Sequence, residues 1–385
     1  MVRLLSLALA ATTLVAAAPH AAKDKCVFSD LDSLVAGKKA CSTITVSNMA
    51  VPANKTLDLT NLNDGTKVVF EGRTTFGYAE WKGPLVNISG NHLDVRGAPH
   101  SLFDCDGKRW WDTLGGNGGK AKPKFLYLRN AVGTRLSHLN VKNTPVHAFD
   151  IAKCKDVQID HITLDNSDGD EGSPSLDSDV GSLGHNTDAF DVGECDGVTI
   201  RNVHVRNQDD CLAIRSGTNI HFSHAYCEGG HGLSIGSVGG RDVNTVDGVL
   251  IEKVKVVNSE NAVRIKTNYN TTGSVANVHY RDIEMVNTHG YGLAVRQDYL
   301  NEIIMMRKSF GAMGGPTGTP TNGITITNFT VENLHGSMTK NLDTASPIII
   351  LCGEGTCKDW TFKDINITGG VKKEGCLNMP AGISC

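Results

Sequence analysis

Carboxylate, imidazole and cationic side chains recur through the middle of this 385-residue chain. In chain order they are Asp188, Asp209, Asp210, His231, Arg264 and Lys266. Cleavage of a glycosidic bond needs a protonated acid for the leaving oxygen and a base or nucleophile on the other face of the sugar. Three neighbouring carboxylates can divide these tasks, because crowded like charges raise the pKa of at least one member.

The spacing of these groups predicts stacked structural repeats. Asp188, the pair Asp209–Asp210 and His231 follow one another at intervals of 21 or 22 residues, and a repeat of about 20–45 residues is typical of solenoids. Residues one repeat apart would then lie about 4.8 Å from each other. A second repeating series supports this interpretation, with the segments 147–151, 188–192, 211–214, 232–235, 262–265 and 292–295.

The elements that carry these groups are predicted to be short strands. Helical periodicity is nearly absent outside Leu31–Ala36, so no crossover helices are available for a TIM barrel or a Rossmann sheet. A β-propeller would need similar antiparallel blades of about 40–45 residues. Asparagine-bearing turns separate the runs at 142–143, 206–207, 257–258 and 286–287, and asparagine tolerates the left-handed conformation of a sharp corner. We therefore predict an all-β, right-handed parallel β-helix with a short N-terminal capping helix, in a single domain over residues 26–385.

The chemical groups are individually weak signals. Adjacent aspartates on a regular strand face opposite sides, so Asp209 and Asp210 reach one cleft only if the chain turns or bulges there. His231 lies between two glycines, as a turn histidine does. Arg264 and Lys266 share one strand face, which suits either solvent or a negatively charged sugar. The order of the groups carries more information than any single one.

The start of the chain resembles a secretory signal. A basic residue, an apolar stretch and small residues fill positions 1–18, and the apolar part is short for a span of about 20 residues. We expect residues 1–18 to be removed, with a short pro-segment to about residue 25, and the protein to be extracellular. No other segment is predicted to enter a membrane, and a net charge of −4 without a basic-aromatic pattern argues against nucleic acid.

Eleven cysteines in a secreted chain point to disulfides. The simplest pairing joins neighbours: Cys26–Cys41, Cys211–Cys227, Cys352–Cys357 and Cys376–Cys385. Cys105, Cys154 and Cys195 remain, either as core thiols or as part of a zinc site, although no close Cys-x-x-Cys pair is present. Candidate glycosylation sequons begin at Asn54, Asn87, Asn270, Asn328 and Asn366.

Four motifs resemble those of fungal polygalacturonases of glycoside hydrolase family 28: the segments 184–188, 207–211, 229–237 and 264–266. The resemblance implies inverting hydrolysis of α-1,4-linked galacturonan without a metal or cofactor. It implies that Asp209 is the general acid, supported by His231, and that Asp188 and Asp210 activate water. It also implies that the substrate is contacted by Asn186, Gln208, Arg264, Lys266 and Tyr299, and it is consistent with the four neighbouring disulfides.

Two segments depart from the family pattern. Asn301–Gly314 separates Tyr299 from a Pro-Thr-Gly run that the family places close behind it. The acidic segment Asp165–Asp179 is longer than expected; it has the composition of a calcium loop without EF-hand spacing, and a solvated loop beside the cleft is the other interpretation.

The sequence therefore predicts a secreted, monomeric endo-polygalacturonase acting on pectic polysaccharide. An exo-acting enzyme or a xylogalacturonan hydrolase of the same fold remains an alternative, whereas Arg264 and Lys266 disfavour a rhamnogalacturonan hydrolase. A pectate lyase would use calcium and a basic residue, which the row of acids does not match. A non-catalytic polysaccharide-binding β-helix would expose stacking aromatics, and the chain has only four tryptophans.

Overall fold

The computed structural model describes residues 26–171, 182–300, 315–340, 345–371 and 375–385. The predicted signal and pro-segment, the Asn301–Gly314 segment and residues 172–179 of the acidic segment lie outside these ranges. The described strands wind as a parallel β-helix around one apolar core, which confirms the predicted fold class. Among the described residues, no helix has the length and apolarity that crossing a membrane requires.

The predicted capping helix is present as α1 (Leu31–Gly37). Asp30 caps it by accepting a hydrogen bond of 2.9 Å from the backbone N–H of Ser33, which satisfies one of the free donors at the helix start. Leu34 is fully buried on its inner face, so the helix covers one end of the core. Short 3₁₀ turns occur at Lys38–Ala40, Gly107–Arg109 and Ser167–Asp170.

Strands are numbered along the chain and belong to two sheets. Within the described residues, 17 strands form the wide sheet: β1 (Val27–Phe28), β2 (Thr43–Ser47), β3 (Ala50–Val51), β5 (Lys67–Glu71), β6 (Arg73–Phe76), β8 (Asp94–Gly97), β9 (Leu102–Asp104), β11 (Arg135–Ser137), β12 (Asn140–Lys142), β14 (Lys155–Asp165), β16 (Cys195–Arg206), β18 (Gly217–Glu228), β20 (Thr245–Val257), β22 (Gly273–Thr288), β25 (Ile324–Met338), β27 (Cys357–Lys358) and β28 (Thr361–Thr368).

A second set of 11 strands, counted over the same described ranges, forms the site sheet: β4 (Leu57–Leu59), β7 (Val86–Ile88), β10 (Leu126–Arg129), β13 (Phe149–Ala152), β15 (Phe190–Gly193), β17 (Leu212–Ile214), β19 (Leu233–Val238), β21 (Asn261–Asn268), β23 (Tyr291–Leu300), β24 (Gly315–Pro316) and β26 (Ser346–Leu351). Neighbouring strands are parallel, except that β24 runs antiparallel to β23.

Left-handed residues mark the corners of the coils. Strands β14, β16, β18, β20 and β22 each contain one at the same level, with φ between 53° and 56°: His161, Asn202, His224, Lys253 and Asp282. Aspartate, asparagine and histidine adopt this conformation more readily than most side chains, and each of these strands bends there. Three of the predicted turn asparagines, Asn143, Asn258 and Asn287, also have positive φ. Asn207 does not, and its different task is described with the site.

Side chains of the site sheet alternate between the core and the outer face, as the period of two requires. The buried rings of Phe125, Phe149 and Phe190 contact one another in the core: Phe125 meets Phe149 edge to face with ring centroids 5.6 Å apart, and Phe149 stacks on Phe190 at 5.2 Å. The intervening residues form an outward row in register, which we call the floor row: Asn87, Tyr127, Asp150, Asp191, Ala213, Ser234 and Arg264. The floor row places polar chemistry on one face of the solenoid without disturbing its core.

All four neighbouring cysteine pairs form disulfides, as predicted. Cys105, Cys154 and Cys195 are buried free thiols, which agrees with the core interpretation. Of the candidate glycosylation sites, Asn54, Asn270, Asn328 and Asn366 are exposed, whereas Asn87 is half-buried on the floor row. Glycosylation itself stays a prediction.

Candidate active site

The predicted acids and the histidine meet where successive strands of the site sheet begin. Asp188 lies just before β15, Asp209 and Asp210 before β17, and His231 before β19. The backbone N–H of Ala189 donates to the carbonyl oxygen of Asp210 (2.9 Å), and that of His231 donates to the carbonyl oxygen of Asp209 (3.0 Å). The coils are therefore adjacent, as the spacing of 21 or 22 residues predicted.

A bend between β16 and β17 lets both neighbouring aspartates face the cleft. The Asn207 side-chain Nδ2 contacts the carbonyl oxygens of Thr187, Asp209 and Asp210 at 2.9, 2.9 and 3.2 Å. The backbone N–H of Asp210 donates to Asp209 Oδ1 at 2.6 Å. Asn207 thus holds the bend through its amide rather than through a left-handed backbone.

Asp209 is paired with a histidine. His231 Nδ1 lies 3.0 Å from Asp209 Oδ1, and Asn186 Nδ2 donates to Asp209 Oδ2 at 2.9 Å. Burial alone would raise the pKa of Asp209, but the charge and hydrogen bond of His231 outweigh it and hold that pKa well below its usual range. In the free protein, the pairing with His231 therefore favours the ionised form of Asp209.

Asp188 has the opposite electrostatic environment. Burial and the nearby charge of Asp209 raise its pKa to about 8. Within the part of the chain that the structure describes, Asp188 Oδ1 accepts no hydrogen bond, although His147 Nε2 lies 3.6 Å away. Since one of two coupled carboxylates keeps the proton, the free protein carries it on Asp188.

Asp210 is held by two cations and a hydroxyl. Arg264 Nη2 and Ser234 Oγ donate to Asp210 Oδ1 at 2.5 and 2.7 Å, and Lys266 Nζ donates to Oδ2 at 2.9 Å. The Lys266 ammonium also lies 5.3 Å from the centre of the Tyr299 ring, close enough for a cation–π contact. Burial and Arg264 oppose the charge on Lys266, but Asp210 and the other anions outweigh them and raise its pKa. The predicted cationic pair is thus brought to the acids.

Glu260 was missed by sequence reasoning. Its Oε2 lies 3.5 Å from His231 Nε2 and 3.7 Å from Arg264 Nη1. It directly precedes β21, and the strand register of Leu212, Leu233 and Val263 gives it the position that Asp209 has before β17. That equivalence was the available signal. Glu260 thus lies between His231, which pairs with Asp209, and Arg264, which pairs with Asp210.

Gln208 does not reach the cleft in this structure, although a substrate contact was expected. Its side chain is fully buried. Its Nε2 donates to the carbonyl oxygen of Asn166 and to Asp170 Oδ1, both at 2.8 Å, and its Oε1 accepts from Thr187 Oγ1 at 2.9 Å. Gln208 therefore fastens the Ser167–Asp170 turn, which belongs to the acidic segment, against the chain beside Asp188.

A second charged cluster adjoins Asp188 and was also missed. His147 Nδ1 lies 2.5 Å from Asp191 Oδ2. Arg215 approaches both Asp150 and Asp191 at 3.9 Å. Burial would raise the pKa of Asp191, but His147 and Arg215 outweigh it and lower that pKa. The resemblance between segments 147–151 and 188–192 was the sequence signal for this cluster, because repeats place equivalent residues side by side.

Two sets of described side chains have the donor types and closeness to hold a cation. One is His147, Asp188 and Asp191, and the other is Asp209, Asp210 and His231; within each set the ligand atoms lie within 4.8 Å of one another. In the second set, Asp209 already pairs with His231 and Asp210 with Arg264 and Lys266. The protein's own cations therefore provide the positive charge that faces these two acids.

Comparisons with known proteins agree with this geometry. Residues 41–385 match the model of "Glycosyl hydrolases family 28". The chain is 47% identical to a polygalacturonase of Cochliobolus carbonum over 99% of both chains. It is 50% identical to a probable endopolygalacturonase A of Aspergillus parasiticus, covering 97% of this chain and 96% of that one. Endopolygalacturonase I of Stereum purpureum, solved with two galacturonates, matches with a TM-score of 0.71 and 29% identity, covering 90% of this chain and 99% of that one. The chain therefore belongs to glycosyl hydrolase family 28 and is a glycoside hydrolase.

Proposed function

We propose that this protein is a secreted endo-polygalacturonase, which hydrolyses α-1,4-galacturonosyl linkages in de-esterified polygalacturonan with inversion. The observation that carries the proposal is a cluster of three carboxylates, Asp188, Asp209 and Asp210, on two adjacent coils. Asp210 is ion-paired with the buried Arg264 and the half-buried Lys266, which lie two coils further on. The acids suit glycosidic cleavage, and the cations suit a sugar that bears a carboxylate. Its relatives' names point to the same substrate.

In the proposed reaction, Asp209 protonates the glycosidic oxygen, and Asp188 and Asp210 activate the attacking water. The free protein holds the shared proton on Asp188, because Asp209 is paired with His231. The catalytic cycle therefore needs the proton to be on Asp209 when substrate is bound. His231 Nδ1, 3.0 Å from Asp209 Oδ1, is within reach to supply it.

Substrate carboxylates would meet Arg264 and Lys266. Both cations already contact Asp210 in the free protein, so a galacturonate would join an existing ion cluster instead of filling an empty one. This arrangement ties the position of the sugar to the position of Asp210. Tyr299, on β23 beside Lys266, provides a ring at the same place, and Asn186 holds the outer oxygen of Asp209.

The test uses the secreted protein on de-esterified polygalacturonate with calcium chelated. New reducing ends, a rapid fall in viscosity and an inverted anomer in the first product by proton NMR are expected. Ultraviolet absorbance from an unsaturated product would instead identify a lyase and overturn the mechanism. A slow viscosity change with release of single sugars would favour an exo enzyme, and turnover restricted to xylose-substituted polymer would favour a xylogalacturonan hydrolase.

An Asp209→Asn variant separates catalysis from polymer binding. We expect its kcat to fall by about 10²–10⁴-fold, while isothermal titration still detects binding of an oligogalacturonate. The matched control is Asp196→Asn, which alters an aspartate on the wide sheet whose side chain accepts hydrogen bonds from Thr218 and Asn219. Equal activity in all three proteins would contradict the assignment of Asp209.

Secretion and a monomeric state belong to the same proposal. The leader-like residues 1–18 support secretion, and N-terminal sequencing of the protein from the culture medium should begin between residues 19 and 26. A cleft along the side of a solenoid needs no second subunit. Light scattering should therefore give a mass near that of one chain plus its glycans.

A further inference from the structure

His147 occupies the position in its coil that Asp188 occupies in the next. It lies two residues before β13 begins, as Asp188 lies two residues before β15, and the backbone N–H of Ala148 donates to the carbonyl oxygen of Asp188 at 2.7 Å. Its side chain points to two acids at once: Nδ1 lies 2.5 Å from Asp191 Oδ2, and Nε2 lies 3.6 Å from Asp188 Oδ1.

Asp191 fixes the orientation of this imidazole. The Asp191 side chain is almost completely buried, and its pKa is lowered because His147 and Arg215 outweigh the effect of burial. A carboxylate that stays ionised anchors Nδ1 as a proton donor. The other ring nitrogen, Nε2, is then directed at Asp188 without a rearrangement.

The charges around His147 favour its protonated form. Asp188, just before β15, and Asp191, within β15, raise the pKa of His147 against the effect of burial, and Lys124, just before β10, lowers it. Lys124 is itself engaged by Asp150 of β13 at 2.7 Å, and Arg215, just after β17, acts on Asp150 and Asp191. Two acids therefore face the imidazole directly, the ionised Asp191 and the titrating Asp188, and the neighbouring cations also act on Asp150.

We propose that His147 is a positioning residue for Asp188. The His147 imidazolium, anchored on Asp191, favours the carboxylate form of Asp188, which is the form that activates water. This role rests on the proposed hydrolysis. Asp188 needs such a partner because burial and Asp209 both favour its protonated form, in which it cannot take a proton from water. The effect of His147 is therefore on the pH range of activity rather than on the shape of the cleft.

The kinetic test compares the pH dependence of kcat/KM for the parent protein and His147→Gln. Glutamine keeps hydrogen-bonding groups but cannot become a cation. Loss of an opposite charge at this distance raises the pKa of a carboxylate by about one unit or more. We therefore expect the acid limb of the kcat/KM profile to move to higher pH by about that amount. At a pH on that limb, activity should fall about tenfold, with recovery on the plateau.

Two further variants separate charge from packing. His147→Lys restores a cation at the same place, and the side chain is partly exposed, so there is room for it; its acid limb should return towards that of the parent. Arg129→Gln removes one positive charge from the same face but beside Asp150, and its acid limb should coincide with the parent's. An unshifted limb in His147→Gln, or a uniform loss at every pH that lysine does not rescue, would overturn the proposal.

A titration that needs no turnover keeps this inference separate from the proposed function. In protein labelled with ¹⁵N-histidine, the His147 signal is identified by its loss in His147→Gln. Its pKa should fall by about one unit or more in Asp188→Asn. An unchanged His147 pKa would overturn the coupling even if polygalacturonate is hydrolysed. A clear shift in a protein that hydrolyses no pectic polymer would uphold the coupling and refute the proposed function alone.

Discussion

The buried ion pair between Arg264 and Asp210 makes a quantitative prediction about stability. The Asp210 side chain is almost fully buried and accepts from Arg264, Lys266 and Ser234. Removing one partner of a buried pair costs about 3–5 kcal/mol, because the other charge remains buried. Since Lys266 and Ser234 still hold Asp210, we expect Arg264→Met to lower the free energy of unfolding by about 3 kcal/mol.

The double-mutant cycle isolates the interaction. Asp210→Asn leaves Arg264 with Glu260 at 3.7 Å as its remaining ion-pair partner among the described residues, so it should cost a similar amount. Combining Arg264→Met with Asp210→Asn removes both charges, and the cost of the double variant should fall short of the sum by about 2 kcal/mol. Its activity should not recover, because the site has lost both an acid and a carboxylate-binding cation.

Urea unfolding, followed by tryptophan fluorescence, measures these differences. Trp110, Trp111 and Trp360 are buried and report on loss of the core, and the midpoint and slope give the free energy. Lys363 and Glu332 provide the control, since they form an ion pair of similar length (2.7 Å) on the surface and Lys363→Met should have no resolvable effect. Strictly additive effects of the two site substitutions would refute the reasoning and leave Arg264 energetically independent of Asp210.

Two further predictions concern Asp188 and Asn207. The folded pKa of Asp188, about 8, lies above the unfolded value. The unfolded chain therefore ionises Asp188 while the folded protein keeps it protonated, and stability falls progressively as pH rises from about 4 to about 8. Asp188→Asn should therefore melt at a higher temperature than the parent at pH 7, with the gap closing towards pH 4; a gap independent of pH would contradict this. Asn207→Ala removes the donor that holds three carbonyl oxygens at the bend. It should lower the free energy of unfolding in urea by about 1–3 kcal/mol and also lower kcat. An unchanged kcat would show that the bend holds without the Asn207 amide.

Much of the fold and the central row of the site could be predicted because a solenoid turns sequence spacing into spatial position. The interval from Asp188 to His231 predicted adjacent coils, and the shared face of Arg264 and Lys266 followed from the period of a strand. The spacing did not show which of the equivalent positions before the site-sheet strands carry residues of the site. His147 and Glu260 each lie just before a site-sheet strand, as the acids do, but no motif singled them out.

The roles of Asn207 and Gln208 were hidden for a different reason. Both lie in the Asn-Gln-Asp-Asp run, and both side-chain amides donate hydrogen bonds to backbone carbonyl oxygens. Asn207 donates within the bend, and Gln208 donates to Asn166, just before the Ser167–Asp170 turn. Such commitments depend on how a turn from another coil packs over the run. Spacing along the chain contains no information on that packing, so the sequence could not show that the Gln208 amide is hydrogen-bonded within the protein.

The floor row shows why one coil architecture can place unlike chemistry on successive strands. Its inward neighbours are uniformly apolar, with Phe149, Phe190 and Leu212 in register, so the stability of the stack depends on positions that the substrate never meets. Outward positions change freely from Asp191 to Ala213 along the same row. A charge on this face alters the pKa values of nearby acids without repacking the core. In this chain Asp191 of the floor row raises the pKa of Asp188, and His147 on the preceding coil lowers it.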